Sequence, residues 1–159
     1  MLDWNKLDFN DFASNVRLLF ETSSVLENAL FYAKPFQTTL ELIESVSKIF
    51  KSLSLPDKID ILNAHPQIGA PKETLSIQSQ SEQLSKPVSN ETLQKLKEMN
   101  ERYEAKFGFR FVVFVNGRSR LDIVSVFKDR LENTREEELE IAIKEMVLIA
   151  KDRLPRFVM

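Results

Sequence analysis

The sequence has 159 residues, 43% hydrophobic and 29% charged, with a formal charge of −2 from 22 basic and 24 acidic side chains. That composition fits one soluble globular domain, and so balanced a charge excludes the basic footprint of a nucleic-acid binder. The absence of cysteine excludes a disulfide framework, a thiolate metal site and a cysteine nucleophile, and no run approaches the roughly 20 apolar residues of a membrane span.

Helical periodicity dominates from the start. Phe12, Val16, Leu19 and Phe20 form one stripe behind a cap at Asn10. Ser24 opens a second helix, which Pro35 terminates. Leu40, Ile43, Val46, Ile49 and Phe50 mark a third, opening at Thr38 or Thr39. Residues 56–64 predict a short fourth helix with Pro56 in its first turn. It must stop near His65, because the residue before a proline is pushed toward extended backbone. The polar stretch 67–90 is the one place for a long loop, and long loops in compact domains are often functional. Leu93, Leu96, Tyr103 and Phe107 line a long helix from Ser89 to Gly108.

One segment resists this reading. FRFVVFVNGRSR, residues 109–120, is a β-branched and aromatic run followed by Asn116-Gly117, a strong hairpin signal. It either pairs with DIVSVF as a small hairpin or threads a helical core as one extended stretch. The RSR triplet, 118–120, reads as a solvated basic turn. In TREEELE the glutamates read as an acidic first turn complementing the helix dipole, and Thr134 and Glu137 have capping-box spacing. The final helix runs on to Leu154. Three glycines in the whole chain argue against a turn-rich sheet fold, so the fold class is all-α.

Three residues invite a chemical reading. His65 is the only histidine. At a helix C-terminus the dipole favours its protonated form, which predicts a pKa near or above neutrality; the structural alternative is a ring that caps the last carbonyls. Ser79 and Glu82 can simply start a helix, yet a capped helix start with a fixed carboxylate also holds a small polar ligand. Arg153 falls on the apolar face formed by Leu139, Ala142, Ile143, Met146, Ile149 and Ala150. There it must be paired or face a cavity, unless it snorkels from a frayed helix end. With one histidine and no carboxylate cluster at ligand spacing, no metal site is expected. The set suits polarising a small anion without metal or cofactor, as in proton transfer or loss of a carboxylate.

ENALFYAKPF, LNAHPQIG, SQSEQ, MNERYEAKFGFRFVVFVNGRS and IAKDRL occur in this order across nearly the whole chain. Together they resemble the 2-oxo-4-hydroxy-4-carboxy-5-ureidoimidazoline (OHCU) decarboxylases, which form (S)-allantoin in urate breakdown. The resemblance implies a cofactor-free, all-α homodimeric enzyme: a compact single domain, 1–159, of about seven to nine helices with one extended segment near 109–116. It implies that His65, Glu82 and Arg153 are catalytic. It further implies that Pro66, Ser79, Gln83 and the main chain of Phe111, Val112, Val113, Phe114 and Val115 contact substrate. Lys34, Gln67, Arg110 and Asp152 depart from the family pattern, without removing a chemical group; the Arg110 change leaves the path of the binding stretch open. MLDWNKLDFN lacks the pattern of a signal peptide and RFVM is no targeting tripeptide, so the expected compartment is the cytoplasm, with the peroxisome of some eukaryotic members open. The expected partner is a small ureidoimidazoline, with neither nucleic acid nor membrane. Two rival classes are a non-catalytic helical interaction module and a small-amide hydrolase using His65 as base; the second lacks a nucleophile elbow or metal site.

Overall fold

The computed structural model describes residues 2–70, 75–76, 79–80, 82 and 89–157. Among these, seven α-helices follow a short 3-10 turn at Trp4–Lys6: α1 (Phe9–Leu19), α2 (Ser24–Tyr32), α3 (Thr39–Ser52), α4 (Leu55–Asn63), α5 (Asn90–Phe107), α6 (Arg120–Arg130) and α7 (Arg135–Phe157). The described residues contain no β-strand, and no helix among them is long and apolar enough to cross a membrane. Residue contacts group the chain into two units, 1–65 with 143–159, and 66–142.

In the first unit the helix starts follow side-chain chemistry. Asp8, not Asn10, caps α1 by accepting from the Asp11 amide at 2.8 Å, and Thr38 caps α3 through the Glu41 amide. Helix α2 follows Ser23 rather than opening at a Ser24 cap. Most of the apolar stripes meet as expected, with Phe12, Val16, Leu19, Leu26, Leu30, Ile43 and Val46 fully buried, but in α3 Leu42 takes the buried place expected of Leu40, which is exposed. Trp4 ties this core together. Its ring stacks on Phe157 with centroids 5.6 Å apart, and its indole N–H donates to the Thr39 hydroxyl at 2.9 Å, which satisfies the one polar atom of a buried indole.

In the second unit α5 starts at the Ser89 cap and ends at Gly108, whose φ of +81° closes the helix in the left-handed region. A Cβ there would also stand 3.4 Å from the Arg135 guanidinium. Gly108→Ala is therefore expected to lower stability by about 1–2 kcal/mol, read as a lower urea midpoint at unchanged slope.

The hairpin alternative fails in an informative way. Asn116 and Gly117 both take positive φ, 51° and 72°, and the Arg118 amide donates to the Val115 carbonyl at 3.0 Å, the signature of a tight hairpin-type turn. The chain leaving it enters α6 instead of a strand, because Ser119 and Asp122 form a reciprocal capping box. The local turn chemistry was correct and its partner was not. Nor is RSR a solvated turn. Arg120 is buried, and burial alone holds its pKa below the usual arginine range.

Candidate active site

Ser54 caps α4 and Pro56 sits in its first turn. The helix stops at Asn63, so His65 arrives one residue beyond the Ala64 cap, with its amide on the Leu62 carbonyl at 3.1 Å. The imidazole is 4% exposed. Burial lowers its pKa to about 4, against the pull of the Glu21 carboxylate and with the push of the Arg153 guanidinium. The expected value near or above neutrality is thus overturned. The Ile61 and Leu62 carbonyls at the helix end do favour the charged ring, but loss of water outweighs them. At neutral pH His65 is an uncharged imidazole.

This depressed value has a consequence for stability. The unfolded chain, with an ordinary histidine pKa of 6.5, binds the proton more tightly than the folded one. Stability should therefore rise with pH between about 4 and 6.5, by up to roughly 3 kcal/mol from this group, and be flat in this contribution above that window. Thermal melts across pH 4–8 should show the slope in the native chain and its loss in His65→Gln.

Arg153, 2% exposed, does not snorkel. From α7 its Nη1 donates to the Leu19 carbonyl at 3.4 Å and its Nη2 to Glu21 Oε1 at 3.3 Å. Glu21, just beyond the end of α1, is the partner the apolar stripe demanded. His65, Arg153 and Glu21 therefore form one electrostatically linked group within the first unit.

The remaining candidates lie in the second unit. Ser79 is buried, Glu82 is half-buried, and residues 79, 80 and 82 are helical. Ser79 is not the cap. Ser76 Oγ accepts from the Ser79 amide at 3.0 Å and the Ser76 carbonyl from the Gln80 amide at 2.9 Å, the bonds of an N-cap residue. Pro66 is half-buried. Gln83 lies outside the described residues.

Phe111–Val115 is neither helix nor strand, and its carbonyls are held by two arginines. Arg130 Nη1 donates to Val112 O at 2.6 Å; Arg118 donates through Nη2 to Phe114 O at 2.6 Å and through Nε to Val115 O at 3.1 Å. Phe111 and Val113 are different. Both are buried, yet among the described residues no hydrogen bond reaches the N–H or C=O of either, an uncommon state for a buried peptide group. No set of three or more histidine, aspartate or glutamate side chains among the described residues is arranged to hold a metal ion.

A sequence profile described as OHCU decarboxylase matches residues 5–155. The bifunctional uric acid degradation protein PucL of Bacillus subtilis is 31% identical over 97% of this chain, which spans only 32% of that longer protein. A 2-oxo-4-hydroxy-4-carboxy-5-ureidoimidazoline decarboxylase of Halalkalicoccus jeotgali is 30% identical over 96% of this chain and 88% of its own length. Among solved structures, one of an OHCU decarboxylase in the presence of (S)-allantoin superposes with a TM-score of 0.71 at 29% identity, covering 90% of this chain and 96% of that one.

Proposed function

The chain belongs to the OHCU decarboxylase family, carboxy-lyases of urate degradation, and from that premise we propose that it converts the ureidoimidazoline to (S)-allantoin without a cofactor, with His65, Glu82 and Arg153 as catalytic residues. The observation that carries this reading is a buried His65, kept neutral by desolvation, within electrostatic reach of the buried Arg153. An interaction module has no use for a desolvated imidazole beside a guanidinium.

The substrate bears a hydroxyl and a carboxylate on one ring carbon, beside a carbon–nitrogen double bond. When the bond to the carboxylate breaks, its electron pair forms a carbon–carbon double bond in the ring, the carbon–nitrogen π pair shifts onto nitrogen, and CO2 departs. The ring left behind is an enol-like anion. A neutral His65 is suited to take the hydroxyl proton as the carbonyl forms and the carbon–carbon double bond gives its pair to a proton arriving at the ureido-bearing carbon, a role a protonated ring cannot fill. Arg153 stabilises the charge developing on a ring oxygen. Glu82 orients the hydroxyl or ureido group and disfavours retention of the neighbouring carboxylate.

Ser79, Gln83, Pro66 and the main chain of 111–115 contact the ligand in this reading. Successive residues of an extended chain present their main-chain groups to opposite sides. With Val112 and Phe114 turned to their arginines, the Val113 N–H and C=O make a donor–acceptor pair suited to the adjacent C=O and N–H of a cyclic urea. Presentation of one ring face would follow, and with it one enantiomer. The chain acts as a single domain over 1–159, supported by the extent of the family match, and as a cytoplasmic homodimer; light scattering of the purified protein tests the dimer.

Carboxyl-labelled substrate generated in situ from 13C-urate tests the activity. Its 13C carboxylate signal should vanish faster with this protein than without it, and equal rates would contradict the proposal.

A further inference from the structure

We propose that Arg130, locked by Glu138, is a positioning residue that fixes the substrate-facing edge of the 111–115 stretch. This rests on the reading above, that the stretch binds the ligand. Arg130 Nε donates to Glu138 Oε1 at 2.8 Å, and Nη2 lies 2.8 Å from the same oxygen. The carboxylate is completely buried and takes further bonds, from the Tyr103 hydroxyl at 2.5 Å on Oε1 and from Asn133 Nδ2 at 2.8 Å on Oε2. With both sides of Glu138 held, Arg130 has one orientation. Its remaining Nη1 grips Val112 O, and its guanidinium carbon lies 4.3 Å from the centroid of the Phe111 ring, which stacks on Phe127 at 3.6 Å.

The restraint thus falls on the two residues preceding Val113, while Arg118 restrains the two that follow. Neither arginine engages the main chain of Phe111 or of Val113, but Val113 is the one of the two that lies between the restraints. A planar, bidentate fork can hold Glu138 and Val112 at once, whereas a lysine reaches as a single point charge. Burial pushes the Tyr103 phenol up, so it stays a donor to Glu138 at any working pH. If the carbonyl of Val112 is loosened, the peptide edge at Val113 should wander between faces of the ring. Affinity and stereochemical fidelity should suffer while the rate of CO2 loss, set elsewhere, changes little.

The test compares wild type, Arg130→Lys and Tyr103→Phe, the last removing one bond to Glu138 and leaving Arg130 in place. In wild type, (S)-allantoin should shift the Val113 amide resonance; no shift there overturns the ligand-binding reading of 111–115 and this proposal with it. Given that shift, Arg130→Lys should raise KM about tenfold and lower the enantiomeric purity of the allantoin, with kcat within about threefold. Tyr103→Phe should show the same split more weakly. A folded Arg130→Lys with native KM and native enantiomeric purity, changed only in melting temperature, overturns the positioning role and leaves the parent reading standing. Should Arg130→Lys fail to fold, native KM and purity in Tyr103→Phe overturn it equally.

Discussion

His65→Asn is expected to lower kcat by roughly 10²–10⁴ with KM within a few-fold, the loss typical of removing a positioned acid–base group. Asparagine keeps a polar side chain of smaller size at the end of α4, so the effect on folding is separable: a melt at pH 7 reports the packing loss alone, because the native ring is uncharged there. In the native chain, activity should stay flat from pH 8 to about 5. It should then fall, with a midpoint near 4, as the ring takes a proton. Turnover by His65→Asn within threefold of wild type would remove the imidazole from the mechanism.

Arg153→Ala should reduce kcat/KM by about 10²–10³, with KM and kcat both worsened, because the same guanidinium binds the ligand and stabilises its developing charge. The variant also removes the guanidinium that the Glu21 carboxylate faces at 3.3 Å, and truncating one partner of a largely buried pair is itself destabilising. The double variant Arg153→Ala with Glu21→Gln resolves the two effects. It should recover melting temperature relative to the single variant and recover no activity. The single variant carries a second signature. Arg153 pushes the His65 pKa down and Glu21 pulls it up. Without the arginine, the lower end of the sloping window should therefore move up from about 4 toward 6.5, and the total pH-dependent change should shrink. A double variant with restored turnover would show that Arg153 serves folding only.

Much of the fold was legible because short-range rules set it. Thr38, Ser89, Gly108 and the Thr134–Glu137 box bound their helices as spacing predicted. The errors differ in cause: the caps and the hairpin went wrong locally, whereas the buried charged side chains depended on residues far along the chain. The Asn116-Gly117 turn formed as written, but a helix followed it. The projected apolar face of α7 exposed Arg153 as anomalous, and the same projection holds a second anomaly, overlooked within TREEELE. Glu138 lies on the stripe with Ala142, Ile149 and Arg153, and is wholly buried. An ionisable residue at each end of one apolar stripe announces two buried partners. Their identities, Arg130 and Glu21, could not be read, since neither stands at a spacing that links it to its mate. The His65 pKa misled for a related reason. The helix dipole is visible in sequence, whereas desolvation, the larger effect here, is visible only after folding.

The most direct test of the central claim is handedness. With the ureidoimidazoline produced in situ from urate, circular dichroism should record (S)-allantoin accumulating faster than in the protein-free control, and His65→Asn should return the trace to that control. Racemic product appearing at the spontaneous rate in the presence of the native chain would contradict the account.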